Sequence, residues 1–201
     1  METIHKNEIL DIRSYERERH VHRQQAREAK TLRTLELGPF ITMTFQSREA
    51  VLYDFQEYLR SRRIREEDAI EEALGTYNRL LPEDGQLGAT LLVTPPEEDK
   101  VAGTLHKFSG LSGEDILWLE SGRQGSLSGN IIPLGDDTNS RHKIVYMVRF
   151  PIQAEWPHQG FDTENPLILK IQYHSYQAET PLGNSLKRAL LSDLNLRDDD
   201  K

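Results

Sequence analysis

Gly38-Pro-Phe-Ile-Thr-Met-Thr-Phe-Gln-Ser-Arg-Glu-Ala-Val-Leu-Tyr-Asp-Phe-Gln-Glu-Tyr-Leu-Arg60 carries two periodicities in one run. From Leu35 to Gln46 the residues alternate, with Ile41, Met43 and Phe45 on one face and Thr42, Thr44 and Gln46 on the other. That pattern predicts a half-buried strand, interrupted near its start by Gly38-Pro39. Ser47 can then cap a helix over Arg48 to about Arg62, in which Glu49 suits the positive end of the dipole. Val51, Leu52, Phe55 and Leu59 supply the core stripe of that helix.

Toward the N-terminus, residues 6–33 contain no Gly or Pro and are rich in Arg, Glu, Gln and Ala, which predicts one long helix. Ile9, Leu10 and Ile12 can pack. Beyond them, Arg13 to Lys30 offers only Tyr15, Val21, Ala26 and Ala29, as a projecting or surface helix would. Toward the C-terminus, a helix over Glu66 to Asn78 presents Ile70, Leu74 and Tyr77, and Leu87 to Thr94 reads as a strand stopped by Pro95-Pro96. A short helix over Val101 to Phe108 follows, then strands over Ile116 to Leu119, Ile131 to Leu134, Lys143 to Gln153 and Leu167 to Tyr176. A last helix, capped by Asn184 or Ser185, packs through Leu186, Ala189, Leu190 and Leu194. Helices gather at the two ends and strands dominate the second half without regular alternation. The expected fold is therefore α+β, an antiparallel β-sheet packed by helices. Three parts are expected: a charged helical arm over 1–34, an α+β domain over 35–196 and an acidic tail over 197–201.

Composition narrows the function classes. In 201 residues no apolar run approaches the roughly 18 needed for a membrane span. The opening Met-Glu-Thr-Ile-His-Lys-Asn-Glu lacks the basic and apolar regions of a secretory leader, so a cytoplasmic protein is expected. With no cysteine, the chain has no disulfide, no thiol nucleophile and no thiolate-held zinc or iron–sulfur cluster. The net charge is −8, yet residues 13–33 hold seven Arg or Lys against three Glu, a local +4 that leaves −12 for the rest.

Several side-chain groupings are candidates for chemistry. Glu49, Tyr53, Gln56 and Arg60 fall on one face of the helix that begins at Arg48, with Glu57 able to pair with Arg60. The row is either a ligand or partner surface or a solvated face. Arg48, at the strand-to-helix junction, can hold a carboxylate or phosphate, or a local ion partner. A cleft joining Glu49, Glu57, Tyr77, Asn78 and His174 would make an enzyme or a metal-binding protein. Glu155-Trp-Pro-His158 has the Glu-x-x-His spacing of di-iron helices, but Pro157 opposes the helix that the geometry requires. Ser121 to Gly129 is glycine-rich without the order of a nucleotide-binding loop, and reads as a β connection. Asp136 to Ser140 lacks the glycine and distal Glu of a calcium loop. Neither His142, His158 and His174 nor the serines fall into a zinc or acyl-transfer motif. The basic helix could neutralise phosphates, but Glu16, Glu18 and Glu28 are spaced to pair within it, which weighs against nucleic acid.

The run from Gly38 to Tyr53, Gln56-Glu57, Leu59-Arg60, Glu72-Ala-Leu-Gly-Thr-Tyr-Asn78, Leu81-Pro82 and Leu87-Gly-Ala-Thr-Leu91 resembles an uncharacterised bacterial family catalogued as domain of unknown function 3501. So do Val145-Tyr-Met-Val-Arg-Phe-Pro151 and His174-Ser-Tyr-Gln-Ala-Glu-Thr-Pro-Leu182. The resemblance implies a small cytoplasmic protein with no assigned activity, whose genes often lie beside those for rubrerythrin and iron–sulfur oxidoreductases. The reading that follows is a non-catalytic accessory or binding protein with no cofactor of its own. Its expected partner is a redox or iron–sulfur protein, and the basic arm also allows a homodimer.

Overall fold

The structure, a computed structural model, describes residues 1–95, 101–122, 125–134, 143–152, 156, 161 and 164–194. Glu155, His158, His142, the run from Asp136 to Ser140 and the tail from 197 lie outside the described residues.

The long N-terminal helix is interrupted. A 3-10 turn spans Lys6–Glu8, and α1 runs over Ile12–Leu32. The break lies at Asp11, whose carboxylate accepts hydrogen bonds from the backbone N–H groups of Arg13 and Ser14 and so starts a new helix. The strand expected over Leu35 to Gln46 is a hairpin of β1 (Thr34–Leu37) and β2 (Ile41–Phe45). Gly38 turns it at a φ of +67°, and an added Cβ there would lie 2.6 Å from the Tyr176 hydroxyl. The helix α2 (Arg48–Arg62) starts at the Ser47 cap, whose hydroxyl accepts from the Ala50 N–H at 3.2 Å. It is followed by α3 (Glu67–Asn78), β3 (Gln86–Val93), α4 (Val101–Phe108), β4 (Gly113–Ser121) and β5 (Gly125–Pro133). Then come β6 (Ile144–Pro151), β7 (Leu167–Tyr173), β8 (Tyr176–Pro181) and α5 (Asn184–Asp193).

The fold is α+β. Among the described residues, eight strands form one antiparallel sheet in the order β1-β2-β3-β6-β5-β4-β7-β8. The sheet curls until its edges meet: Tyr176 donates from its hydroxyl to the Leu37 carbonyl, and Thr180 donates to the Glu36 carbonyl. Those bonds occupy edge carbonyls that would otherwise be open to pairing. Inward residues of every strand, among them Met43, Phe45, Leu91, Val148, Phe150, Leu119 and Leu169, share one core. Phe108 of α4 closes the end that holds Phe40, Tyr173 and Tyr176, and Leu186 and Leu190 of α5 enter the same core. Asp193, at the end of α5, reaches Arg33 at the other end of β1.

Three further expectations are corrected. The strand expected from Leu167 to Tyr176 ends at Tyr173, because His174 adopts a φ of +51° and turns the chain into β8. The glycine-rich stretch is largely strand, with Gly129 inside β5 where Phe150 covers it. The residue before α5 is Gly183, which leaves the Asn184 and Ser185 side chains inside the helix. A second, smaller core lies outside the barrel, where Ile4 joins Val51, Phe55 and Leu59 of α2 with Leu74 and Leu81.

Candidate functional site

The α2 helix presents one face to the small core and the other to α1. Gln56 and Arg60 of the polar row predicted on it, with the neighbouring Arg48 and Glu57, are engaged by the chain's own N-terminal segment. Arg48 donates to the carbonyls of Glu2 and Thr3 at 3.1 and 3.0 Å, and from Nη2 to both carboxylate oxygens of Glu8 at 2.6 and 2.8 Å. Of the two roles open to Arg48, the structure thus shows the local ion pair. The guanidinium's hydrogen bonds hold the Glu8 carboxyl below its usual range. Gln56, buried, accepts from the Leu10 N–H at 2.7 Å and donates to the Leu10 carbonyl at 3.2 Å. Asn78 does the same for Ile4, at 2.9 and 3.0 Å. Two amides therefore satisfy both backbone groups of two residues in an irregular segment, as burial of Ile4 requires.

Glu57 faces α1. It accepts from Arg19 at 2.7 and 3.0 Å, from the Tyr15 hydroxyl at 2.9 Å and from Arg60 at 3.0 Å. The Arg19 hydrogen bonds, helped by those of Arg60 and Tyr15 and opposed by desolvation, bring its carboxyl to about 2. Burial and the Glu57 carboxylate push the Tyr15 phenol up. Tyr77 packs its ring against Phe55 and Tyr58, with centroids 5.0 and 5.6 Å away. Glu49 is exposed, and Tyr53 is half-buried. His174 sits exposed in the β7–β8 turn at the α4 end of the barrel, whereas α2 begins beyond the other end of β2. The structure therefore does not bring His174 into one cleft with Glu49, Glu57, Tyr77 and Asn78.

Two features are not visible in the sequence pattern. Arg149 on β6 donates to Gln46 at 3.0 Å and to the carbonyls of Arg79, Leu80 and Leu81, so it caps the chain leaving α3; burial lowers its pKa. The other is a groove of ≈ 630 Å³ where α1, β1 and α2 meet, lined by Arg23, Ala26, Arg27, Lys30, Thr31, Thr34, Tyr53 and one acidic residue, Glu36. Lys30 pairs with Asp54 at 2.8 Å and lies 5.9 Å from the Tyr53 ring centre. Arg23 and Arg27 make no ion pair among the described residues, and they also line an adjoining depression with Glu16, Arg19, His20 and Gln24. The helical spacing of residues 19, 23, 27 and 30 was the available signal, but the sequence alone does not say which of these cations α2 neutralises.

Among the described residues no group of three or more His, Asp and Glu side chains is arranged to hold a metal ion. No described helix is long and apolar enough to cross a membrane.

The family model for proteins of unknown function, DUF3501, matches residues 3–194. The chain belongs to the DUF3501 family. The span that matches DUF3501 takes in the clasped N-terminal segment from Ile4, the groove and α5. The fold is shared with a novel protein of unknown function from Burkholderia pseudomallei K96243, whose crystal structure superposes at a TM-score of 0.83 with 20% identity over 96% of this chain and 100% of that one. No curated protein matches this DUF3501 chain.

Proposed function

We propose that this DUF3501 protein is a non-catalytic binding protein whose groove between α1, β1 and α2 receives acidic side chains of a partner protein. One observation carries the reading: Arg23 and Arg27 face a groove of ≈ 630 Å³ without an ion partner among the described residues, while Arg48, Gln56, Glu57, Arg60 and Asn78 are engaged inside the molecule. Two guanidiniums with no ion partner among the described residues, beside the Tyr53 phenol, suit carboxylates, which arginine binds in bidentate fashion; the Thr31 and Thr34 hydroxyls donate to the Arg27 and Lys30 carbonyls, and Glu36 bounds the groove on its β1 side. A long polyanion fits less well, because nucleic-acid binders typically neutralise several phosphates and this chain carries a net charge of −8. The family resemblance supplies the partner class, a rubrerythrin-type redox or iron–sulfur protein.

The test is calorimetric titration of the protein with a purified rubrerythrin at several salt concentrations. Binding that weakens with salt, and roughly tenfold or more in the R23E/R27E double variant, is expected. Binding unaffected by the double variant, or a preference for a single-stranded oligonucleotide over rubrerythrin, overturns the reading.

A further inference from the structure

Beside the C-terminal end of α2, the break before α1 creates a second concavity. Ile9, Leu10 and Ile12 form one wall and Ile64 and Ile70 the other, over a floor made by the buried Leu59, enclosing ≈ 430 Å³. Two backbone features shape it. The extended stretch ahead of the Asp11 cap is held at Leu10 by Gln56. Arg63 ends α2 in the left-handed region, at a φ of +55°, so that Ile64 folds back with its N–H donating to the Leu59 carbonyl at 3.0 Å.

The lip of this groove is cationic. Lys6, Arg13 and Arg65 line it; Lys6 is paired with Glu67 and Glu71, but Arg13 and Arg65 make no ion pair among the described residues. Its acidic lining residue, Asp11, already accepts from the N–H groups of Arg13 and Ser14 at 2.9 and 3.1 Å. An aliphatic trough bordered by two guanidiniums that make no ion pair among the described residues complements an apolar chain with a single anionic head. The volume falls in the roughly 300–1,000 Å³ range of small-molecule pockets, and walls of single isoleucine and leucine side chains suit an unbranched chain better than a helix. We propose that this groove binds a medium-chain aliphatic monocarboxylate, its chain along Ile9, Ile12, Ile64 and Ile70 and its carboxylate against Arg13 and Arg65.

The four isoleucines make the site observable. In the full-length protein with labelled isoleucine methyl groups, decanoate should produce saturable NMR shifts at Ile9, Ile12, Ile64 and Ile70 and leave Ile41 and Ile131 of the barrel core unmoved. Decyltrimethylammonium, with the same chain and the opposite head, should bind roughly tenfold more weakly, as should decanoate to the R13Q/R65Q variant. Both arginines are exposed, so the variant should retain the wild-type circular dichroism spectrum. No saturable shift, equal affinity for the two heads, shifts centred on the barrel, or binding of an acidic amphipathic peptide in place of decanoate overturns the proposal. None of these outcomes bears on the α1–β1 groove, which is lined by different residues.

Discussion

Arg33, immediately after α1, and Asp193, in the last turn of α5, form a bidentate ion pair across 160 positions of sequence, with an Nη2–Oδ1 distance of 3.0 Å. The side chains are only 9% and 14% exposed, and Arg33 also donates to the Gln46 carbonyl at 3.2 Å. The pair ties the N-terminal helix, the start of the barrel and its terminal helix at one point. Removing one partner strands a buried charge, so Asp193→Ala should cost about 3–5 kcal/mol in urea unfolding at pH 7. An Arg33→Met/Asp193→Leu double variant should lose markedly less, because it removes both charges.

Glu57 makes stability depend on acid. Its carboxyl has an ordinary value of 4.5 and lies at about 2 in the folded protein, chiefly through the Arg19 hydrogen bonds. Because the folded value is depressed, the contribution is fully present above about pH 4.5 and is lost as pH falls toward 2; at about 1.4 kcal/mol per tenfold, it amounts to at most roughly 3 kcal/mol. Glu57→Gln should therefore be less stable than the parent at pH 7 by about 2–3 kcal/mol, with the two unfolding curves converging near pH 2.

Gly129 lies beneath the Phe150 ring. A Cβ on it would sit 2.6 Å from the ring's Cε1 atom. Gly129→Ala should destabilise the barrel by about 1–3 kcal/mol in thermal unfolding, and Phe150→Leu should cost less in that background than in the parent, because it makes room for the new methyl.

The Asn78 amide holds both backbone groups of Ile4, whose side chain is 1% exposed. Asn78→Ala leaves that N–H and carbonyl without their amide partner, at a cost of about 1–3 kcal/mol. Hydrogen exchange should accelerate over residues 2–10 while the β3 and β6 amides keep their protection.

At His174 a non-glycine residue adopts a φ of +51° in the two-residue turn between the paired Tyr173 and Tyr176. Asparagine tolerates this region better, so His174→Asn should raise stability by about 0.5 kcal/mol in urea titration. A loss of stability would assign the histidine ring, 4.3 Å from that of Tyr173, a packing role.

Local rules carried much of the architecture. Alternation over Ile41 to Phe45, the Ser47 cap, the core stripe of α2 and the span of α4 are all legible in sequence, because periodicity and capping act within a few residues of the chain. The same rules failed at Asp11 and His174, where a single residue breaks an otherwise continuous pattern through a side-chain cap of two hydrogen bonds or through one backbone angle.

The sequence by itself determined an α+β protein with an antiparallel sheet, a cysteine-free composition, and a polar row on α2 next to its core stripe. Only the tertiary structure decided what that row does. Gln56 reads as a surface residue by spacing and is buried against Leu10, and Arg48 reads as either an anion site or half of a local ion pair and is paired with Glu8. The sheet's closure through Tyr176 and Leu37, and the meeting of Arg33 with Asp193, likewise depend on the path of the whole chain. Helical and strand periods are set by neighbours in sequence. The pairing of polar groups is set by which distant segments burial brings together, and that leaves Arg23 and Arg27 without an ion partner among the described residues while engaging the nearby Arg19 and Lys30.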